Sequence, residues 1–550
     1  MEEKVFGLPA NSLANSMIVI LIIISIILVI GGLRRFILVK MGTRNIPRRK
    51  GQSSLIVMGL MLSSIIVAVS LGIGDTVRYS VRSVVFDSAG NIDEVISGPG
   101  KQLFGVEYFS YSEFEEVERL ASTNSNIDGV MPYIEINLPV ENVKSEIAES
   151  RVQVRGYDSY YSDSFDLIKN INNEIASINS LGSKQVYINT TLSDTLNLNK
   201  GDIVGVYINL EKQEFEIMDV LESGSLAGAN ITPTVSFEIS TLQKLLGKED
   251  MITNIAVSNA GNQDRSLELS DDITQFLRLN LTNKQVANKF FEILSSNGIP
   301  AIIKEEAKLI EQTDSETFEE LSKISSDLEN NDFNEEFITS VGDYQLQLII
   351  LGALDKSGLQ SEAGQLLMMF GDLTTLRVDD SKNNGVKLAE AVATGVTTIF
   401  SIFGSFSIMV GMLLIFLVFV LLAAARSTEL GMARAVGLKR RDLIQLFTYE
   451  GTVYSFLAAI AGTLIGIGLS FGLVYILQDL IDAGTFVIKP YFSITSIIIS
   501  FSAGLILTFI TVFASAYRAS NLNIVVSIRG LKEEFVKKAA LSTTNKIKNL

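Results

Sequence analysis

Residues 391–425 read AVATGVTTIFSIFGSFSIMVGMLLIFLVFVLLAAA, a run with no Lys, Arg, Asp or Glu. As one helix rising 1.5 Å per residue it is ~53 Å long, well beyond the ~30 Å hydrocarbon core of a bilayer. Four further segments are free of charge: 16–33, 52–74, 451–477 and 491–517. Each reaches or nearly reaches the ~20 apolar residues of a membrane-spanning helix. Between 52–74 and 391–425 lies a polar, acidic block, 75–390. The predicted fold class is a membrane α-helical protein of five spans, with a large extracytoplasmic α/β plus helical domain inserted between spans 2 and 3. The excess length of the third span must tilt, kink or protrude. The helical pattern already present at 387–390 favours a stalk into the outer domain. A tilted anchor bent near Gly404 or Gly411 is the alternative.

Working outward, the basic residues orient the spans. Segment 34–50 holds Arg34, Arg35, Lys40, Arg44, Arg48, Arg49 and Lys50 and no acid. Segment 426–450 holds Arg426, Arg434, Lys439, Arg440 and Arg441 against Glu429, Asp442 and Glu450. The tail from Arg518 is also basic. Loops rich in Lys and Arg stay in the cytoplasm, so these three go inside. Block 75–390, the N-terminus and the link 478–490 go outside. The expected divisions are 1–51 (anchor span and basic loop), 52–74 (span 2), 75–390 (outer domain), 391–517 (spans 3–5) and 518–550 (cytoplasmic tail). The charge after rather than before the apolar run 16–33 makes it a retained anchor rather than a cleaved leader.

The chain as a whole has a formal net charge of −16, and its acids concentrate in 75–390. Such a field repels nucleic acid and anionic surfaces, so nucleic acid is excluded as a partner while the bilayer is required. The acidity is either a cation-attracting surface or simply a solubility device. There is no His and no Cys. That removes the usual neutral-pH base, the thiol nucleophile, disulfides and the common zinc ligands. No Asp-x-Asp/Asn-x-Asp/Asn-Gly calcium loop and no phosphate-binding Gly-x-x-x-x-Gly-Lys-Ser/Thr loop occurs. No catalytic residue, metal site or cofactor is therefore assigned.

Within the outer domain, 75–264 reads as α/β and 265–390 as mainly helical. Strands are expected at 185–188, 203–210, 214–221, 235–239 and 252–258, with helices at 190–196 and 240–246. Residues 200–202 form a turn, and Glu211-Lys212-Gln213 closes a hairpin. Helices follow at 284–296 and 304–329.

The sharpest motif follows the third span: RSTELGMARAVGLKRRDLIQLFTYEG, residues 426–451. Residues 428–435 are expected to form a short helix stopped near Gly437. This stretch resembles the cytoplasmic turn of FtsX-like ABC transporter permeases, the group that includes MacB and the LolC/LolE subunits. Arg426, Glu429, Gly431, Arg434, Ala435, Gly437, Glu450 and Gly451 match the pattern, with the basic patch Lys439, Arg440 and Arg441 between. Residues 44–50 resemble the family's start, 185–258 its extracytoplasmic region and 517–525 its close. The resemblance implies a permease subunit on which a separate ABC ATPase, carrying ATP and Mg, docks at 428–441. ATP hydrolysis would then drive movements of the outer domain for export, lipoprotein or lipid extraction, or control of an envelope partner. It also implies residence in the cytoplasmic membrane and a second permease unit, homodimeric or paralogous. Two features depart from the pattern: the span 16–33 is extra, and only one permease unit is present. Gly462-x-x-x-Gly466 and Gly468-x-x-x-Gly472 allow close helix approach, either to that second unit or within the chain. The competing reading is a passive receptor or adhesion protein whose outer domain binds an extracytoplasmic partner protein. The substrate is not legible.

Overall fold

The computed structural model describes residues 4–5, 8–47, 50–98, 106–296, 298–311, 315–374, 376–425, 432, 436–481 and 488–519. The chain divides into two compact units, residues 1–81 with 389–550, and residues 82–388.

Among the described residues, six helices build or enter the first unit. They are α1 (Ala10–Arg34), α2 (Phe36–Asn45), α3 (Lys50–Ala89), α4 (Ser381–Ala425), α5 (Arg440–Ile481) and α6 (Ile494–Ala519). Among the described residues, stretches of α1, α3, α5 and α6 are long and apolar enough to cross a membrane. The fifth charge-free stretch lies inside α4, which runs through Gly404 and Gly411 without interruption. Both α3 and α4 outrun their charge-free segments: α3 continues to Ala89 and α4 begins at Ser381, so each unit boundary falls within a helix. Segment 34–50, expected as a loop, contains the helix α2. Arg35, at φ −142° and ψ 55°, breaks the chain between α1 and α2, and α2 then packs its own apolar row.

The polar residues that follow the charge-free part of α3 hold the segment leading into α6. Asp75 accepts from the Ser493 amide at 2.8 Å. The Thr76 hydroxyl donates to the Tyr491 carbonyl at 3.0 Å, and the Ser80 hydroxyl accepts from the Lys489 amide at 2.9 Å. Tyr79 stacks on Tyr491 with ring centroids 4.5 Å apart. An extended segment has no helical partners for its amides, and these side chains supply them.

Among the described residues of the second unit, nine strands form one sheet: β1 (Glu94–Ser97), β2 (Ile127–Asn142), β3 (Ala148–Tyr157), β4 (Gln185–Asn189), β5 (Ile203–Ile208), β6 (Glu211–Leu221), β7 (Thr234–Glu238), β8 (Asn254–Asn259) and β9 (Arg377–Asp379). Their order is β5-β6-β4-β7-β3-β2-β8-β1-β9. The far end of the long strand β2 also pairs with β5 through Val140, Glu141 and Asn142, so six strands close into a ring. Alternation sets the faces: Phe215 and Ile217 of β6 are buried while Glu214 and Glu216 are exposed. One core gathers Ile134, Val154, Ile188, Val206, Phe215 and Phe237. A second lies among the helices between Lys284 and Leu373 and includes Phe290, Ile303, Leu321, Ile324, Phe337 and Leu366. Strand β9 then brings the chain back beside β1, pairing Val378 with Ile96, before α4 begins.

The β5–β6 turn is Asn209–Leu210, not Glu211-Lys212-Gln213. Glu211 and Lys212 are already paired with Ile208 and Tyr207. Asn209 and Leu210 take φ of 51° and 69°, the left-handed pair that a two-residue hairpin requires. The helix expected at 304–329 is two helices, Ile299–Ile310 and Ser315–Asn330.

Candidate functional site

The site is the end of the spans that the charge pattern places in the cytoplasm. Of the residues singled out there, Arg426, Glu429, Gly431, Arg434 and Ala435, and with them most of the short helix 428–435, lie outside the described residues. So do 520–550, nearly all of the tail. Gly437 is described and has φ +111°, a conformation that side chains resist even though the space around it is open.

Helix α5 starts from a half capping box. The Lys439 carbonyl accepts from the Asp442 amide at 2.9 Å, and the Asp442 carboxylate accepts from the Lys439 amide at 2.9 Å. An acid in a first helical turn also meets the positive end of the helix dipole. Asp442 pairs in addition with Arg35, so one carboxylate ties the α1–α2 corner to the start of α5. The Arg440 guanidinium lies over the Tyr517 ring, 4.8 Å from its centre, and links α5 to the end of α6. Lys439 and Arg441 are exposed.

Glu450 is 2 % exposed. The Tyr454 hydroxyl donates to it at 3.2 Å, and the Ser53 hydroxyl lies 2.9 Å from Tyr454 and 3.0 Å from the Ile46 carbonyl. With one proton each, the two hydroxyls can donate only two of these three bonds at once. The relay joins the first turn of α3 to α5, and a buried carboxylate at this depth demands such donors.

The glycines divide into two sets. A Cβ at Gly462 would lie 2.7 Å from the Met61 carbonyl oxygen, and one at Gly466 2.6 Å from the Ala68 Cβ. These two therefore admit α3 against α5. Gly468 and Gly472 are exposed, with nothing within 4 Å of a Cβ.

A second cluster lies in the other unit, where the chain enters and leaves it. Lys382, at the start of α4, donates to Asp93 at 2.6 Å; their side chains are 2 % and 1 % exposed. The Lys382 amide donates to the Asp93 carbonyl at 3.0 Å, and the other Asp93 oxygen accepts from the Asn259 amide at 2.8 Å. Next to it, Glu94 accepts from the Asn259 side-chain amide and the Ser270 hydroxyl, both at 2.8 Å. Burial pushes the Glu94 carboxyl up to about 8, against those two hydrogen bonds and with help from the charges of Asp380 and Asp93. Val85 of α3 and Gly385 of α4 touch beside this cluster, where a Cβ on Gly385 would lie 3.0 Å from a Val85 methyl.

Sequence reasoning missed Asp442 as a hub, although an acid three residues after Lys439 and ahead of an apolar run marks a helix start. The Asp93–Lys382 pair carries no local signal, since its members are 289 positions apart.

A helical membrane unit interrupted by an α/β extracytoplasmic unit defines the class: a polytopic membrane protein with one large outer domain. Two family models match it, the MacB-like periplasmic core domain over residues 53–276 and the FtsX-like permease C-terminal domain over residues 401–524. The chain is an FtsX/MacB-like ABC transporter permease. Among solved structures it is similar to the periplasmic region of MacB from Actinobacillus actinomycetemcomitans, at 14 % identity over 35 % of this chain and 86 % of that one, with a TM-score of 0.25. It is also similar to the extracellular domain of the noncanonic ABC-type transporter YknZ from Gram-positive bacteria, at 14 % identity over 33 % of this chain and 94 % of that one, with a TM-score of 0.23. No curated protein matches.

Proposed function

We propose that this chain is the five-span permease subunit of a system in the cytoplasmic membrane, and that it transmits work from a separate ATPase to its outer domain. The ATPase, with its ATP and Mg, docks on residues 428–441, and a second permease unit completes the assembly. The observation that carries the reading is the junction of α3 and α4. Each helix runs on past its charge-free segment, and the residues that follow α3 are tied to the start of α4 by Asp93–Lys382 and by the β1–β9 pairing. Such a junction converts displacement of either helix into strain at the sheet edge rather than into independent motion. A passive receptor needs no such coupling and no nucleotide.

The test is ATP turnover of the co-purified complex in lipid. Gly431→Leu adds bulk at the docking turn and Glu429→Lys reverses a charge there. Both should abolish stimulation of the ATPase and leave insertion intact, whereas Lys439→Gln should do much less. A chain that brings down no ATPase, with both variants fully functional in cells, would overturn the reading in favour of the receptor.

A further inference from the structure

Helix α2 has two dissimilar sides. Leu38 and Gly42 are buried, with Val39 and Thr43 half-buried beside them. A Cβ on Gly42 would lie 3.1 Å from the Leu446 carbonyl oxygen and 3.4 Å from the Glu450 amide, so this side lies on α5. The other side exposes Phe36 (67 %), Ile37 (74 %) and Met41 (45 %), and exposes Lys40 and Arg44 as well. At 100° per residue these five fall within an arc of about 140°, the two cations between the apolar residues.

The contact with α5 fixes the depth of α2. Glu450, beside Gly42, is the last charge before the charge-free run 451–477. The middle of α2 is therefore level with the edge of the hydrocarbon. At that depth apolar side chains enter the acyl region while Lys and Arg stems reach back to the headgroups. Segment 34–50 supplies no acid to the two cations, and among the described residues no carboxylate pairs with Lys40 or Arg44. We propose that α2 lies in the inner-leaflet interface and that its outward face binds anionic phospholipid, with Lys40 and Arg44 holding the headgroup phosphates.

The chain contains no Trp, so one introduced tryptophan reports alone. Ile37→Trp is placed in the full-length protein in vesicles of phosphatidylcholine with a fixed fraction of phosphatidylglycerol, brominated in one lipid or the other. Bromines on phosphatidylglycerol should quench the fluorescence of this variant more than the same mole fraction on phosphatidylcholine. Adding Lys40→Gln and Arg44→Gln should reduce that preference about fivefold per cation removed, and leave quenching by brominated phosphatidylcholine intact. Ile27→Trp on the exposed side of α1 should show no preference. Equal quenching of the Ile37→Trp variant by the two lipids would overturn the proposal. So would quenching by neither, since a protein would then cover the face.

Discussion

Lys382 and Asp93 form an ion pair almost wholly removed from water, and such a pair is worth little until one half is taken away. Lys382→Met leaves Asp93 buried and uncompensated. It should cost about 3–5 kcal/mol in urea unfolding of residues 82–388, and adding Asp93→Asn should restore most of that. An equal loss in the single and double variants would mean that packing, not charge, is at stake. Glu94 gives this region a pH dependence of a particular sign. Its carboxyl titrates near 8 when folded, against an ordinary value of 4.5. Between those values the folded chain holds a proton that the unfolded chain has released. Stability therefore falls as pH rises from about 5 to about 8, by about 1 kcal/mol per unit, and the loss is complete above that. Glu94→Gln keeps an acceptor for Asn259 and Ser270 and should flatten this dependence; an unchanged slope would place it elsewhere. None of this was legible in the sequence, because a pair formed across the whole outer domain leaves no spacing to read. At the inner end, the charges Lys439, Arg440, Arg441 and Glu450 were legible as flanks of an apolar run. Their roles were not, since Arg440 turns onto Tyr517 and Glu450 turns inward to Tyr454.

Short elements with strong punctuation were readable. Helix Thr190–Leu196 lies where its pattern placed it, begun by the Asn189 side chain, which accepts from the Leu192 amide at 2.9 Å. Strands β2 and β3 were legible in principle, since Ile134-Glu135-Ile136-Asn137-Leu138 and Val152-Gln153-Val154-Arg155 alternate apolar and polar residues, but they were not assigned. In the fold Glu135 and Arg155, at polar positions of that alternation, pair across the strands at 3.1 Å. The break between Ile299–Ile310 and Ser315–Asn330 carries no Gly or Pro, and both halves are amphipathic, so a single period runs through it. The β5–β6 turn lacks the Asn-Gly pair that would have marked it. Leu210 is 98 % exposed there with a positive φ. Leu210→Gly should stabilise the outer unit by about 1 kcal/mol, read as a raised urea midpoint; a lowered midpoint would contradict this account of the turn. Helix α5 offers a matching contrast. Gly462→Leu must push α3 away and should lower the thermal stability of the detergent-solubilised chain by several degrees. Gly472→Leu, in open space, should leave it unchanged. Equal effects would mean that α3 does not rely on the close approach at Gly462.

At the scale of the whole molecule, missing charge was enough to mark the long apolar helices: among the described residues four of the five charge-free segments fall in helices long and apolar enough to cross a membrane, and the fifth lies inside α4. It could not say how far the helices continue. Past its charge-free segment α3 carries Asp75, Arg78 and Arg82 and still remains helical to Ala89, with Asp75 accepting from the Ser493 amide in the link before α6. Those extensions lead to one buried cluster, formed by Asp93 and Glu94 after α3 and by Lys382 at the start of α4, and the proposed function depends on it. The most direct test is hydrogen exchange on the full chain with its co-purified ATPase in lipid, compared between the nucleotide-free complex and one trapped with ATP. The account predicts altered protection in residues 93–97 and 377–389, on the far side of the membrane from the nucleotide. Changes confined to residues 426–450, with the α3–α4 junction identical in both states, would contradict it.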